Sequence, residues 1–422
     1  MASLTILFLA FLSLSYDTYL SHSESNPKPL VLPIRQDAAT NLLVANIDGR
    51  TPLVSTGFVV DLTTLHLWAN CETNYKSTTF NQPKCGSPQC KEANTSYCFN
   101  NCQGARPFCH TNTCGRLLEN LVSHQSTIGE VSQDVVNFRS TNGLNLGPTV
   151  QIPNFLFTCA PSALVDLGLP KGVQGVVGLA QGSIALQNQL GSRVRLKPIF
   201  TMCIPSTTSG NGLIFFGSYG PYSFSGIDAS KNLIYTPIII SPFGEYYINV
   251  KSIKINQKSI PIKKTLLSIS KISTGGTTFN TLLPYTVLEG SIFKTLISSY
   301  ANELPKLSKV KPISPFGLCY ESKSFPHSPL GPIVPSIDLE LEGQGKVWTI
   351  FGTNSMVEAQ PGVLCLAFVN GGSEYRASVN VGTYQMKNLP LQFDLSQLRL
   401  GIGYPLSGLR TRCEDFNFSV AA

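Results

Sequence analysis

Apolar residues along this chain fall mostly in short runs separated by Gly, Pro, Asn and Ser, a pattern of strands rather than helices. Residues 26–36, with Pro29-Leu30-Val31-Leu32-Pro33-Ile34-Arg35, predict an extended strand punctuated by prolines. Asn41–Asn46 and Leu53–Asp61 predict two more, divided by a turn at Asp48-Gly49. Periodicity then vanishes from Cys71 to Cys114, where a loop insertion rich in Gly, Asn, Pro and Cys is expected. Short strands return at Asp134–Phe138 and Phe155–Thr158, a short helix follows at Ile184–Leu190, and Leu213–Gly217 closes a first half.

Residues 218–232, rich in Gly, Ser, Pro and Tyr, read as a linker. Beyond it, strands are expected at Leu233–Ile240 and Glu245–Ile255, the latter with a bulge or turn because Tyr247, Val250 and Ile253 do not alternate strictly. The best helix pattern spans Pro284–Leu304: Leu288, Ile292, Leu296 and Tyr300 recur every four residues between Pro284 and Pro305. Val347–Phe351, Gly362–Phe368 and Leu389–Leu400 are the clearest later strands. The expected fold class is therefore mostly β with a few short helices, in a lobe at 25–217, a linker at 218–232 and a lobe at 233–422.

The halves share an order of events. Val59-Val60-Asp61 leads through a short turn to Leu67-Trp68, and Gly275-Gly276-Thr277-Thr278-Phe279 leads into Asn280-Thr281. Each half later has a Val-Gly segment, Val176-Val177-Gly178 and Val379-Asn380-Val381-Gly382. The glycines of 170–179 do not form a nucleotide-binding pattern, so they point to close backbone approach in a β-rich core.

Composition adds a compartment. Residues 1–24, with an apolar run Leu4–Leu14 too short to span a bilayer, read as a signal peptide, and no later run reaches membrane length. Charged residues are only 13% of the chain against 42% apolar, which supports a core and fits a secreted surface dressed with uncharged polar groups. Twelve cysteines (Cys71, Cys85, Cys90, Cys98, Cys102, Cys109, Cys114, Cys159, Cys203, Cys319, Cys365 and Cys413) imply disulfides. Seven lie between 71 and 114, but no Cys-x-x-Cys pair supports a zinc site, and no metal or other cofactor is expected. Asn94 and Asn417 head glycosylation sequons. The net charge of +7 comes without a basic block suited to nucleic acid and fits an anionic cell-wall matrix or an acidic protein partner.

Val59-Val60-Asp61 … Leu67-Trp68, Gly275–Thr281 and Gly382 … Leu391-Gln392-Phe393-Asp394-Leu395 … Leu400-Gly401 together resemble the signatures of pepsin-like aspartic proteases, across about 28–415. A closer resemblance is to a secreted plant subgroup: basic 7S globulins, extracellular dermal glycoprotein, and xylanase and xyloglucanase inhibitors. It rests on His66-Leu67-Trp68-Ala69-Asn70-Cys71, Ala105-Arg106-Pro107 … Cys109-His110, Gln360-Pro361-Gly362-Val363 and Cys413-Glu414-Asp415-Phe416-Asn417-Phe418. The resemblance implies a bilobal fold with six disulfides, Cys319 pairing with Cys365 and Cys203 with Cys413.

The protease mechanism needs two carboxylates about 3 Å apart sharing a proton. Asp61 supplies one, whereas Asn280 at the second position cannot ionise. The family's glycines are Thr63 and Leu282 here, and side chains there are expected to push the two turns apart. The flap lacks its Tyr: Arg116–Gly129 has none. Asp61 and Asn280 therefore read as vestigial, with Asp61 a hydrogen-bonded turn residue and no catalytic residue remaining. His66 reads as structural, and His124, in the altered flap, as exposed.

The resemblance implies binding instead: inhibition of microbial glycoside hydrolases, capture of a small peptide, or storage. Its inhibitors place a cation between the two carboxylates of a sugar cleft. The candidate loop is Ser407–Cys413, with Arg410 and Arg412 as partner-binding residues; an Arg rather than a His there points to a xyloglucanase before a xylanase. The bland reading is a solvated surface arginine.

Overall fold

The computed structural model describes residues 27–95, 97–100, 110–305, 307 and 309–420. The signal segment 1–24 and the cysteines Cys102 and Cys109 lie outside the described residues. The fold is mostly strand with few short helices, as the pattern implies.

The duplication read from the sequence is real in three dimensions. Strand Val54–Asp61 runs parallel to Val173–Gly178, with Val60 opposite Val177 and Asp61 opposite Gly178. Trp68–Asn70 pairs with the other side of the same strand. In the second half Thr277–Phe279 runs parallel to Val379–Val381, whose other side pairs with Thr286–Leu288. Each half thus threads a turn between two strands that share one central partner. The predicted glycine role holds at Gly178, and Gly382 does the same in the second half. A Cβ on Gly178 would lie 2.2 Å from the Thr64 carbonyl oxygen, and one on Gly382 2.5 Å from that of Tyr285.

One sheet joins the halves. Leu30–Gln36 pairs with Asn211–Phe216, which pairs with Ile199–Cys203. Ile199–Cys203 then pairs with Leu391–Asp394 of the second half, followed by Arg399–Ile402 and Ile234–Ile240. Phe200 and Phe393 stack across that junction at 4.7 Å. The C-terminal strand Asn417–Val420 crosses back to pair with Asn145–Ala160 of the first half. Tyr222 and Phe224, in the stretch expected to link the halves, are buried with Cys413 and Phe416.

Several local expectations are corrected. Asp48 and Gly49 are strand residues within Leu43–Gly49, and the reversal falls at 50–53. Gly49 is needed because a Cβ there would sit 2.9 Å from the Val135 carbonyl oxygen. Asp134–Phe138 and Phe155–Thr158 belong to long strands, Gln125–Thr141 and Asn145–Ala160, whose bulges hide the alternation. The helix is Gly290–Glu303, started by the Glu289 carboxylate accepting from the Ser291 and Ile292 amides. Leu288 is strand, because Thr286–Leu288 is taken up by parallel and antiparallel pairing. Ile292, Leu296 and Tyr300 face the core as the spacing predicts. Leu389–Leu400 contains a hairpin, Leu391–Asp394 with Arg399–Ile402. The Cys-rich insertion holds a short helix, Pro88–Glu92, and a strand, Tyr97–Phe99.

Five disulfides occur among the described residues: Cys71–Cys159, Cys85–Cys98, Cys90–Cys114, Cys203–Cys413 and Cys319–Cys365. The last two are the pairs that the resemblance implies. Cys203–Cys413 closes 210 residues of sequence, so its restraint on the unfolded chain is on the order of 5 kcal/mol.

Candidate functional site

The two turns meet at the centre. Asp61 is fully buried. Its Oδ1 accepts from the Thr63 amide at 2.8 Å and the Thr63 hydroxyl at 2.7 Å, and its Oδ2 from the Thr64 hydroxyl at 2.6 Å. Burial pushes its carboxyl pKa up, and these hydrogen bonds offset only part of that. Asn280 closes its own turn in the same way, its Oδ1 accepting from the Leu282 amide at 2.8 Å. Asn280 borders the cleft between the lobes and Asp61 does not.

The turns are not pushed apart, contrary to expectation. The Thr281 hydroxyl donates to the Val60 carbonyl at 3.0 Å and accepts from the Leu62 amide at 3.0 Å. Thr63 turns its hydroxyl into its own loop, and Leu282 packs against the first-half cluster that contains Val59 and Trp68. The added side chains fill the junction instead of wedging it open. Leu62 carries no hydroxyl to return the grip, so the clasp is one-sided.

The cleft beside the turns has a volume of about 740 Å³. His66 and Trp68 line it, almost wholly buried, and among the described residues both ring nitrogens of His66 and Nε1 of Trp68 lack a hydrogen-bond partner. Burial, with a smaller push from the Arg116 charge, lowers the His66 pKa to about 3. The altered flap is a hairpin of Thr113–Asn120 against the start of Gln125–Thr141. Its tip carries exposed His124, and the Asn120 amide, at the base of that turn, ties the tip to the Leu164 and Leu167 carbonyls at 2.9 and 2.8 Å.

The second candidate surface lies elsewhere. Leu406–Leu409 forms a 3-10 turn that ends at Arg410 in the left-handed region, φ 59°. Arg410 is exposed, and among the described residues its side chain makes no ion pair or hydrogen bond. Arg412 is exposed but engaged: its guanidinium lies 3.7 Å from Asp415, which also accepts from its amide at 2.9 Å.

The loop is anchored by two residues to which the sequence assigned no such role. Asn388 accepts from the Cys413 amide through Oδ1 at 2.9 Å and from the Leu406 amide through its carbonyl at 2.8 Å. Glu414 Oε1 accepts from the Ser206 amide and hydroxyl at 2.8 and 2.7 Å. The only sequence signal near either is the flanking Cys413. The sequon residues Asn94 and Asn417 are both exposed. Among the described residues no cluster of three or more His, Cys, Asp or Glu is arranged to hold a metal, and no helix is long and apolar enough to cross a membrane.

Two outcomes follow from the central geometry. Thr281→Val removes both bonds of the clasp and strands a buried amide and a buried carbonyl. It should lower stability by about 3 kcal/mol in urea unfolding, and a loss under about 1 kcal/mol would mean the clasp is not holding the turns. His66 is neutral in the folded chain down to about pH 3. Between there and about 6.5 the unfolded chain holds a proton that the folded chain refuses, so acidification favours unfolding. His66 should therefore add roughly 1.4 kcal/mol of stability per unit rise in pH across that window. Asp61, its pKa raised, works in the opposite sense just above pH 3.8. Comparison with His66→Gln isolates the histidine: the variant's stability should fall less steeply on acidification, and parallel profiles would refute the assignment.

Comparison with known proteins places this geometry. Residues 44–218 match the family described as Xylanase inhibitor N-terminal, and 245–403 match Xylanase inhibitor C-terminal. Gamma conglutin 1 of Prunus dulcis is 45% identical over 99% of this chain and 96% of that protein. A Nicotiana benthamiana protein named as a probable aspartic proteinase is 38% identical over 99% and 98%. The crystal structure of edgp superposes with a TM-score of 0.90 at 41% identity, covering 93% of this chain and 99% of that one. Conglutin gamma, a basic 7S globulin from lupine seeds, gives 0.84 at 41%, covering 93% and 100%. The aspartic proteinase of Irpex lacteus shares the fold alone, with a TM-score of 0.60 at 14% identity over 91% and 99%. The chain belongs to the xylanase-inhibitor and basic 7S globulin family, built on the bilobal pepsin-like aspartic protease fold.

Proposed function

We propose that this chain is a secreted, catalytically inert aspartic-protease homologue that inhibits microbial cell-wall-degrading glycoside hydrolases, a xyloglucan-specific endoglucanase before a xylanase. The observation that carries this reading is Arg410: an exposed guanidinium, unpaired among the described residues, on a loop tied down by Cys203–Cys413 and Asn388. A preorganised cation loses little freedom on binding, and a guanidinium can engage a carboxylate with two parallel hydrogen bonds. Two carboxylates flanking a sugar cleft are the matching target. Arg412 is the lesser contributor, since its guanidinium already faces Asp415.

The central turns support the reading of inertness. Asn280 cannot share a proton as a second carboxylic acid, and both oxygens of Asp61 are held by Thr63 and Thr64. A second reading, storage or capture of a small peptide, is favoured by the 740 Å³ cleft and its unpartnered His66 and Trp68. The third, residual endopeptidase activity, has only Asp61 to support it.

Inhibition of a fungal xyloglucanase tests the proposal. The wild type should inhibit. Arg410→Ala should weaken inhibition by roughly a hundredfold, in line with loss of one member of a desolvated charge pair. Arg412→Ala should cost no more than about tenfold. No inhibition, or equal inhibition by Arg410→Ala, removes the loop assignment and leaves the cleft reading. In the same preparation, casein should stay intact at acidic pH; cleavage that disappears in Asp61→Ala would restore the peptidase.

A further inference from the structure

The chain carries 31 lysines and arginines against 24 aspartates and glutamates. The cleft between the lobes runs against that balance. Glu119 lines it from the flap hairpin of the first half, and Glu245 and Glu374 line it from the second. Among the described residues, Arg376 is the only lysine or arginine in its wall. That arginine is already engaged: its guanidinium lies 3.3 Å from Glu245 Oε1 and rests 3.8 Å over the Phe243 ring. Glu119 and Glu374 are exposed, and among the described residues their carboxylates make no ion pair or hydrogen bond. The cleft of a basic chain therefore keeps two unbalanced negative charges, one on each lobe.

The wall adds a second chemistry. His66 and Trp68 line the cleft, are 3% and 0% exposed, and among the described residues leave both imidazole nitrogens and the indole N–H without a partner. Polar groups left unmade in such a place are costly. The imidazole stays neutral above about pH 3, so one nitrogen donates and the other accepts. Together the two rings offer two donors and one acceptor. A peptide unit answers that set, since its carbonyl oxygen has two lone pairs and its amide supplies a hydrogen. A simple ammonium ion has hydrogens to give but no lone pair to take one. Phe243 and Tyr375 expose their rings at the rim, where a cationic side chain gains from an aromatic face.

We infer that the cleft takes a short extended peptide carrying two lysine or arginine side chains, its backbone paired with His66 and Trp68 and its cations directed to Glu119 and Glu374. A ligand that meets both glutamates must reach from one lobe to the other. The cleft volume of about 740 Å³ lies in the range, roughly 300–1,000 Å³, of pockets that enclose most of a small ligand. The inference rests on the reading of the cleft as a site for a small peptide and narrows it to basic sequences. The Arg410 loop plays no part in it.

The test is fluorescence anisotropy of the full chain with three end-capped hexapeptides at pH 6 and low ionic strength, identical except for two positions that carry lysine, glutamine or glutamate. The lysine peptide should bind roughly tenfold more tightly than the glutamine peptide, and the glutamate peptide most weakly. That advantage should shrink to about threefold or less at roughly 0.5 M salt. E119Q/E374Q should remove most of the advantage and leave the glutamine peptide within about twofold. E342Q/E358Q takes two exposed glutamates from outside the cleft wall and should keep the advantage. Trp68→Phe keeps a ring but loses the N–H, and should weaken all three peptides by about fivefold. Equal affinity for the three peptides would overturn the basic preference and leave the cleft reading standing, whereas binding of none would remove both. Equal losses in the two glutamate variants would make the effect one of net charge and overturn the inference. Unchanged binding in Trp68→Phe would overturn the backbone pairing, and tighter binding of spermine or of a glucosamine oligomer than of the lysine peptide would overturn the peptide as the ligand.

Discussion

Thr281 holds the middle of the molecule together. Its hydroxyl reaches residues 219 and 221 positions away, giving a hydrogen to Val60 and receiving one from Leu62. All three residues are buried, so these bonds act where unmade ones would be most costly. Leu62 fixed in this way also fixes Asp61, the residue before it. Asp61 then turns both oxygens into its own loop, and that is how a fully buried carboxylate, with no ion pair among the described residues, is accommodated. Each turn is further gripped from its own half by the strand ending in Gly178 or leading into Gly382, where only the missing Cβ lets a carbonyl come so close.

This junction is satisfied by amides, hydroxyls and one carboxylate. Nothing in its hydrogen bonding requires a second ionisable group, and Asn280 makes the same turn-closing contact to residue 282 that Asp61 makes to residue 63. The architecture is therefore indifferent to whether acid chemistry is possible there. The outer loops carry a different constraint. The Arg410 loop is covalently tied through Cys413 to Cys203, on the strand that pairs with Leu391–Asp394 across the junction. The chain after the loop then adds its last strand to the first half. A loop held at its base by both halves stays in place without help from the central turns.

Much of this was legible in the sequence, for a physical reason. The repeated run of apolar residues into Asp61 and Asn280, and the Val-Gly segments that follow, are local patterns imposed by buried strands and close backbone approach. They survive as pattern because any side chain at Gly178 or Gly382 would collide with backbone. Elsewhere local pattern misled. Leu288 keeps the four-residue spacing of the helix yet lies in a strand, because Val287 and Leu288 find partners near residues 369–370 and 379–380 that no window on the chain can see. Asp48-Gly49 has turn composition, but its glycine serves a crossing at Val135. The roles of Thr281, Asn388 and Glu414 could not be read for the same reason: each acts through contacts set by the tertiary fold, and nothing in their neighbourhood encodes the partner.

The helix Gly290–Glu303 is held to this frame by one face. Ile292, Leu296 and Tyr300 are wholly buried on one face, so packing on that side fixes the helix whatever the other side bears. Lys294 and the lysines of the adjacent segment face water, where like charges are hydrated and repel little beyond about 10 Å. The cleft, in contrast, is rimmed by Glu119, Glu245 and Glu374, with Arg376 resting over the Phe243 ring and paired to Glu245. An acidic rim repels polyanions, so the sign of its charge works against such ligands entering the cleft. The cleft and the Arg410 loop hang on separate anchors, the cleft on the clasped turns and the loop on its disulfide, so a change at one leaves the other in place.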